Sequence, residues 1–196
     1  MKYHLVPQSF YLQPTDTVAR ELLGKIISRE IDGKIHHFRI VETEAYLGLS
    51  DPSAHSYSGK ITNRTKVMND IGGTIYIYLI YGLHLCLNVV TQKKGIPEAV
   101  LIRALEPMEE SLLRTNGPGL LGNALQLRIG INGRKVFDPE SPLRILYEKG
   151  FKYSESEISV TGRIKIDRHV DARTWPLRFL VNTSKFVSKG KPYVDK

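Results

Sequence analysis

Two acidic residues interrupt an apolar stripe in the stretch HFRIVETEAY. On an extended strand every second side chain faces the same way, so Phe38, Ile40, Glu42, Glu44 and Tyr46 are expected on one face. Burying an ionised carboxylate is costly unless it is paired or hydrogen-bonded. A carboxylate held there beside an aromatic ring is a reasonable general acid or base. The plainer reading is a strand end that reaches solvent, with both acids in water. The stretch AVLIRALEP supplies a counter-charge, because Ala99, Leu101 and Arg103 share a face. A guanidinium that meets Glu42 or Glu44 either keeps a carboxylate ionised and holds a water between them, or closes the core as a structural ion pair.

Three tyrosines crowd the run TIYIYLIYGLHLCLNVV. Tyr76 and Tyr78 fall on one strand face, with Ile77 and Leu79 on the other. Tyr81 is out of phase and precedes Gly82, whose permissive backbone suits a turn. Two rings facing one way can wall a flat-sided pocket, and a ring at a turn tip can wedge into something stacked. Enzymes that extrude a base from a duplex need such parts. Tyrosine-rich strands also line cores with their hydroxyls at the rim.

The elements that must position these groups follow from periodicity. PTDTVARELLGKII reads as a helix with Thr15 or Asp16 as N-cap and Gly24 at its end. HFRIVETEAY, TIYIYLI, LCLNVVTQ and AVLIRAL read as strands, and GPGLLGNALQL as a loop entering a short helix. EISVTGRIKID and PLRFLVN suggest further strands. Central strands with flanking helices predict an α+β fold in a single domain spanning residues 1–196. No repeat, low-complexity tract or linker divides the chain.

The 196 residues carry 28 Lys and Arg against 20 Asp and Glu, a formal charge of +8 that points to a polyanionic partner. The single cysteine, Cys86, excludes an internal disulfide and a four-thiolate metal site. His36 and His37 point to opposite strand faces and lack a partner cluster, so no metal site is expected. No apolar run is long enough to span a bilayer, and the N-terminus lacks a signal peptide's apolar middle. A soluble protein is expected.

VETEAYLG, DPSAHSYSG, GTIYIYLIYGLHLCLNVVT and AVLIRALEP, in this order and separation, closely resemble the alkyladenine (3-methyladenine) DNA glycosylase family. QPTDTVARELLGKII and WPLRFLVN extend the resemblance over most of the chain. It implies a compact mixed domain whose curved, mainly antiparallel sheet presents a hairpin to the DNA minor groove. The implied activity is that of a monomeric, monofunctional glycosylase. It would hydrolyse the N-glycosidic bond of alkylated purines in double-stranded DNA, without metal, cofactor or membrane, in the cytoplasm (at the nucleoid in a bacterium) or the nucleus.

Carried over residue by residue, the resemblance makes Glu44 the general base and Arg103 the arginine that helps hold the attacking water. Tyr46, His55 and Tyr78 would enclose the flipped base, and Asn88 would screen out normal guanine. Tyr81 would fill the hole left in the duplex. Arg64, Gly117 and Gly119 would meet the DNA backbone. Leu120 stands where the family usually carries Lys, Asn63 and Thr65 replace a Pro and an Asn around Arg64, and Gly72–Gly73 replaces Pro-Gly. These departures bear on backbone affinity and loop rigidity rather than on the chemistry. A non-catalytic nucleic-acid module would explain the charge and the rings but leave the two acids without a purpose. A carbohydrate hydrolase would use the acids but not the charge.

Overall fold

The computed structural model describes residues 2–59, 61–110, 113–166 and 172–190. In chain order these form β1 (Tyr3–Leu5), α1 (Thr15–Glu21), β2 (Ile26–Ile31), β3 (Lys34–Tyr46), β4 (Ile75–Ile80), β5 (His84–Thr91), β6 (Glu98–Pro107), α2 (Pro118–Ala124), β7 (Leu143–Glu148), β8 (Ile158–Thr161) and β9 (Arg178–Val181), with short 3-10 turns between them. The strands make one curled antiparallel sheet in the order β1-β7-β2-β3-β6-β5-β4. β9 joins β3 at Glu42–Glu44, on the edge that β2 has left, and carries β8 outside it. The fold is α+β, with strands dominating.

Alternation along β4, β5 and β6 divides their side chains between two clusters. Ile75, Ile77, Leu87, Val89, Val100 and Ile102 join the main core with Val18, Ala19 and Leu22 from α1 and Leu121 and Leu125 from α2. Tyr76, Val90 and Ala99 lie on the opposite face with Met68, and Tyr78 packs beside them. The helix α1 is anchored to the long strand where the Thr43 hydroxyl donates to the Ala19 carbonyl at 2.7 Å. Asp16 in its first turn and Arg20 in its last complement the helix dipole. Arg29 of β2 closes the far end of α2, donating to the carbonyls of Leu125, Gln126 and Pro142.

Two expectations are corrected. The N-cap of α1 is Pro14, and no side chain caps the helix. Thr15 is buried instead, its hydroxyl against Thr91 at 2.6 Å and bonded to Glu98. Nor does the face of Phe38 and Ile40 run unbroken into Glu42 and Glu44. The β3–β6 pairing is irregular between Ile40 and Thr43. Each strand there places two consecutive residues in the main core, Ile40–Val41 and Ala104–Leu105. A bulge of this kind re-aims the side chains that follow it, so the acids face away from the core although the apolar residues before them enter it. The strands β1, β2 and β7 have no counterpart in the expected elements.

Candidate active site

The bulge in β3 delivers Glu42, Glu44 and Tyr46 to the face that carries Tyr76 and Tyr78, and β6 brings Leu101 and Arg103 to it. Between this face, the start of α2 and the segment around Ile164 lies a cavity of about 510 Å³. Its walls include Tyr46, His55, Tyr78, Asn88 and Arg103, with Gly117, Gly119 and Leu120 on the α2 side.

Both acids are fully buried, and each is bound differently. Glu42 Oε1 accepts from Arg103 Nε at 2.8 Å, Arg178 Nε at 2.7 Å and the Ser188 hydroxyl at 2.8 Å, while its Oε2 accepts the Ser188 N–H at 2.7 Å. Glu44 Oε2 accepts the Tyr46 hydroxyl at 2.9 Å and Arg103 Nη1 at 3.2 Å, and its Oε1 accepts the Ile164 N–H at 2.7 Å. One guanidinium thus bridges both carboxylates. Burial by itself lowers the Arg103 pKa, but Glu44 and Glu42 outweigh it and move the group further up. A carboxylate has about four lone-pair sites, and Glu44 has three bonds. Among the described residues, Glu44 Oε1 accepts one bond, as does Glu42 Oε2.

The part of the wall made by His55, Tyr76 and Tyr78 is aromatic and uncharged. His55, in the loop after Asp51, meets Tyr78 edge to face with centroids 4.4 Å apart, and its Nδ1 lies 2.9 Å from the Tyr76 hydroxyl. Burial, followed by the positive charge of Arg64, pushes the His55 pKa down to about 4, so the imidazole is neutral near pH 7. Burial pushes the Tyr76 phenol up to about 12 and also raises those of Tyr46 and Tyr78. All three phenols therefore keep their protons. Asn88 is opposite Tyr76 in the β4–β5 pairing and donates to the Tyr76 carbonyl at 3.2 Å, which fixes its amide.

The β4–β5 hairpin turns at the cavity mouth. Tyr81 (φ 53°) and Gly82 (φ 68°) are both left-handed, and the Leu83 N–H returns to the Ile80 carbonyl at 3.1 Å. This is a type I′ turn, which suits glycine at its second central residue. Tyr81 at the first, 74% exposed, is held outward against its backbone preference. Arg64 is exposed on the loop before β4. Gly119 has no room for a side chain, because a Cβ there would approach the His84 ring to 2.9 Å.

The structure therefore gathers Tyr46, His55, Tyr78, Asn88, Arg103 and Tyr81 around one cavity, with Gly117 and Gly119 on its wall. Glu44 is not itself a lining residue and sits fully buried behind Tyr46 and Arg103, bonded to both. Arg64 lies outside the lining residues. Sequence reasoning passed over Arg178, Ser188, Asp51, Arg163 and Ile164, which hold the acids and the rings in place. Only Asp51, inside the DPSAHS block, and Arg178, inside WPLRFLVN, carried a motif signal. Among the described residues no three His, Cys, Asp or Glu are grouped to hold a metal ion, and no helix is long and apolar enough to cross a membrane.

The sequence profile of the methylpurine-DNA glycosylase family matches residues 9–185. A protein of Bdellovibrio bacteriovorus is 43% identical over 191 residues, covering 94% of this chain and 99% of its own. One from Myxococcus xanthus is 45% identical over 192 residues, covering 95% of each. One from Desulfitobacterium hafniense is 39% identical over 201 residues, covering 92% of this chain and 97% of its own. All three are named, provisionally, 3-methyladenine DNA glycosylase.

Proposed function

Since this chain belongs to the methylpurine-DNA glycosylase family, we propose that it hydrolyses the N-glycosidic bond of alkylated purines flipped out of duplex DNA. The observation that carries this reading is that two residues lining the cavity, Tyr46 and Arg103, are both hydrogen-bonded to the buried Glu44. Alkylation at N3 or N7 leaves the purine positively charged and weakly bonded to its sugar. The rings of Tyr46 and Tyr78 attract such a base by about 0.5–2 kcal/mol each beyond ordinary contact. Stacking adds about 1–3 kcal/mol and offsets the few kcal/mol that flipping costs.

As the bond breaks, its electron pair leaves with the base, which becomes neutral, and the sugar becomes an oxocarbenium-like cation. Glu44, bonded to the cavity-lining Tyr46 and Arg103, stabilises that charge and takes a proton from the attacking water on a carboxylate oxygen. The hydroxide oxygen bonds to C1′ and leaves an abasic site. Arg103 holds Glu44 as an acceptor and helps orient the water. His55 flanks the base opposite Tyr46, and Asn88, with its amide pinned, crowds the exocyclic amino group of normal guanine. Tyr81, displayed on the hairpin, occupies the gap in the duplex. Arg64 and the backbone around Gly117 and Gly119 meet the DNA strand.

Incubation with methylated duplex DNA, followed by heating in alkali to cut abasic sites, tests this reading. Strand breaks confined to damaged DNA, accompanied by free 3-methyladenine, are expected. A mobility shift without breaks would mean a binding module, and neither shift nor breaks would remove DNA from the account.

A further inference from the structure

The largest fully buried side chain of the core is a charged one, Arg163, in the loop after β8. Its two terminal nitrogens grip the Asp51 carboxylate, Nη2 at 2.9 Å from Oδ1 and Nη1 on Oδ2, and Nη1 also donates to the Ala45 carbonyl at 3.0 Å. Asp51 in turn accepts the N–H groups of Leu47 and Ser53, each at 3.0 Å. The guanidinium carbon lies 4.7 Å from the centroid of the Tyr46 ring and 5.9 Å from that of Trp175. Tyr46 lines the cavity and Arg163 does not, so the cation covers the side of the ring turned away from the cavity. The next residue, Ile164, gives its N–H to Glu44.

A fully buried ion pair is poor value as a stabiliser, because apolar residues of similar shape are often as good. Its position behind a base-stacking ring suggests another use. An aromatic face attracts cations through its quadrupole, and a cation already held on the reverse face weakens that attraction for a second one. Building on the glycosylase reading above, we propose that Arg163, locked by Asp51, is a positioning residue that moderates the Tyr46 ring's preference for cationic bases, so that neutral damaged bases are also accepted. Arg163 acts through Tyr46 and touches neither base nor water. The Tyr46 phenol senses this charge alongside those of Glu44 and Arg103.

The test compares single-turnover excision of 7-methylguanine, which is cationic, with that of hypoxanthine, which is neutral, in otherwise identical duplexes. The paired variant Arg163→Met/Asp51→Asn removes both charges and should raise the cationic-to-neutral rate ratio about 3- to 10-fold. Asp51→Asn alone leaves the guanidinium uncompensated and should lower the ratio. Arg163→Lys keeps the charge and should hold the ratio near that of the unaltered protein while both rates fall. Opposite shifts from the two Asp51 variants are the expected signature, since a purely structural pair would lower both rates together and leave the ratio unchanged. An unchanged ratio in a folded, active double variant overturns the inference and leaves the glycosylase reading intact. If the paired variant fails to fold, the ratio in Asp51→Asn and Arg163→Lys decides the matter. Failure of the unaltered protein to release either base would defeat both.

Discussion

Glu42 and Glu44 are the same residue type on the same strand, two positions apart, and both are fully buried. Their surroundings make them different chemical objects. Glu42 accepts four hydrogen bonds from Arg103, Arg178 and Ser188, three on Oε1 and one on Oε2, and none of the donors is an aromatic of the cavity. Glu44 accepts three, one of them from a cavity-lining phenol. Glu42 is fastened between two guanidiniums and Ser188, whereas Glu44 is tied to the cavity wall through the Tyr46 hydroxyl. Four of the donors that make this distinction (Ile164, Arg178 and the two groups of Ser188) come from the last third of the chain.

The sharpest way to break the comparison is Glu44→Gln. An amide cannot accept the proton of water, so excision from alkylated duplex DNA should fall about 10²- to 10⁴-fold, with damaged DNA still bound. Release of 3-methyladenine at an undiminished single-turnover rate would move the base elsewhere. Glu42→Gln should act on the fold instead. It leaves Arg178 without a carboxylate and Arg103 with only Glu44, and should cost about 3–5 kcal/mol in urea melts. Glu44→Gln should cost less, because Arg103 keeps Glu42.

A smaller effect is expected at the hairpin. Tyr81→Gly should relieve the left-handed backbone and leave stability unchanged or slightly raised, while weakening base flipping as read by a fluorescent reporter base beside the lesion. Fluorescence that matches the unaltered protein would remove Tyr81 from that role.

The smallest effect concerns the neutral wall. Burial lowers the His55 pKa from 6.5 to about 4, so the unfolded chain binds this proton more readily than the folded one. The contribution is complete above pH 6.5 and is lost as pH falls toward 4, with a limiting slope of about 1.4 kcal/mol per pH unit. Gln at position 55 should flatten that stretch of a pH–stability profile. An identical profile would show that the imidazole is not shielded.

Legibility followed distance along the chain. The pairing of Tyr76 with Tyr78 on one face and the display of Tyr81 before Gly82 depend on period two and on one glycine, and both stand in the structure. The common face of Glu42, Glu44 and Tyr46 was equally readable. Its continuation back through Ile40 was not, because a bulge is a property of two strands meeting and not of either alone. The short strands β1, β2 and β7 exist through pairing with one another and with β3. Thr15 has the residue type of a helix cap but was drawn to Thr91, 76 positions away.

By itself the sequence determined which residues could do chemistry: an acid beside a tyrosine, an arginine on a neighbouring strand, rings in phase and a ring at a turn. Those are local matters of side-chain type and strand period. Only the tertiary structure decided which acid is held between two arginines and which is tied to a cavity-lining tyrosine, and placed a buried cation behind Tyr46. Hydrogen bonds and burial between segments more than a hundred positions apart leave no periodic trace in the chain that makes them.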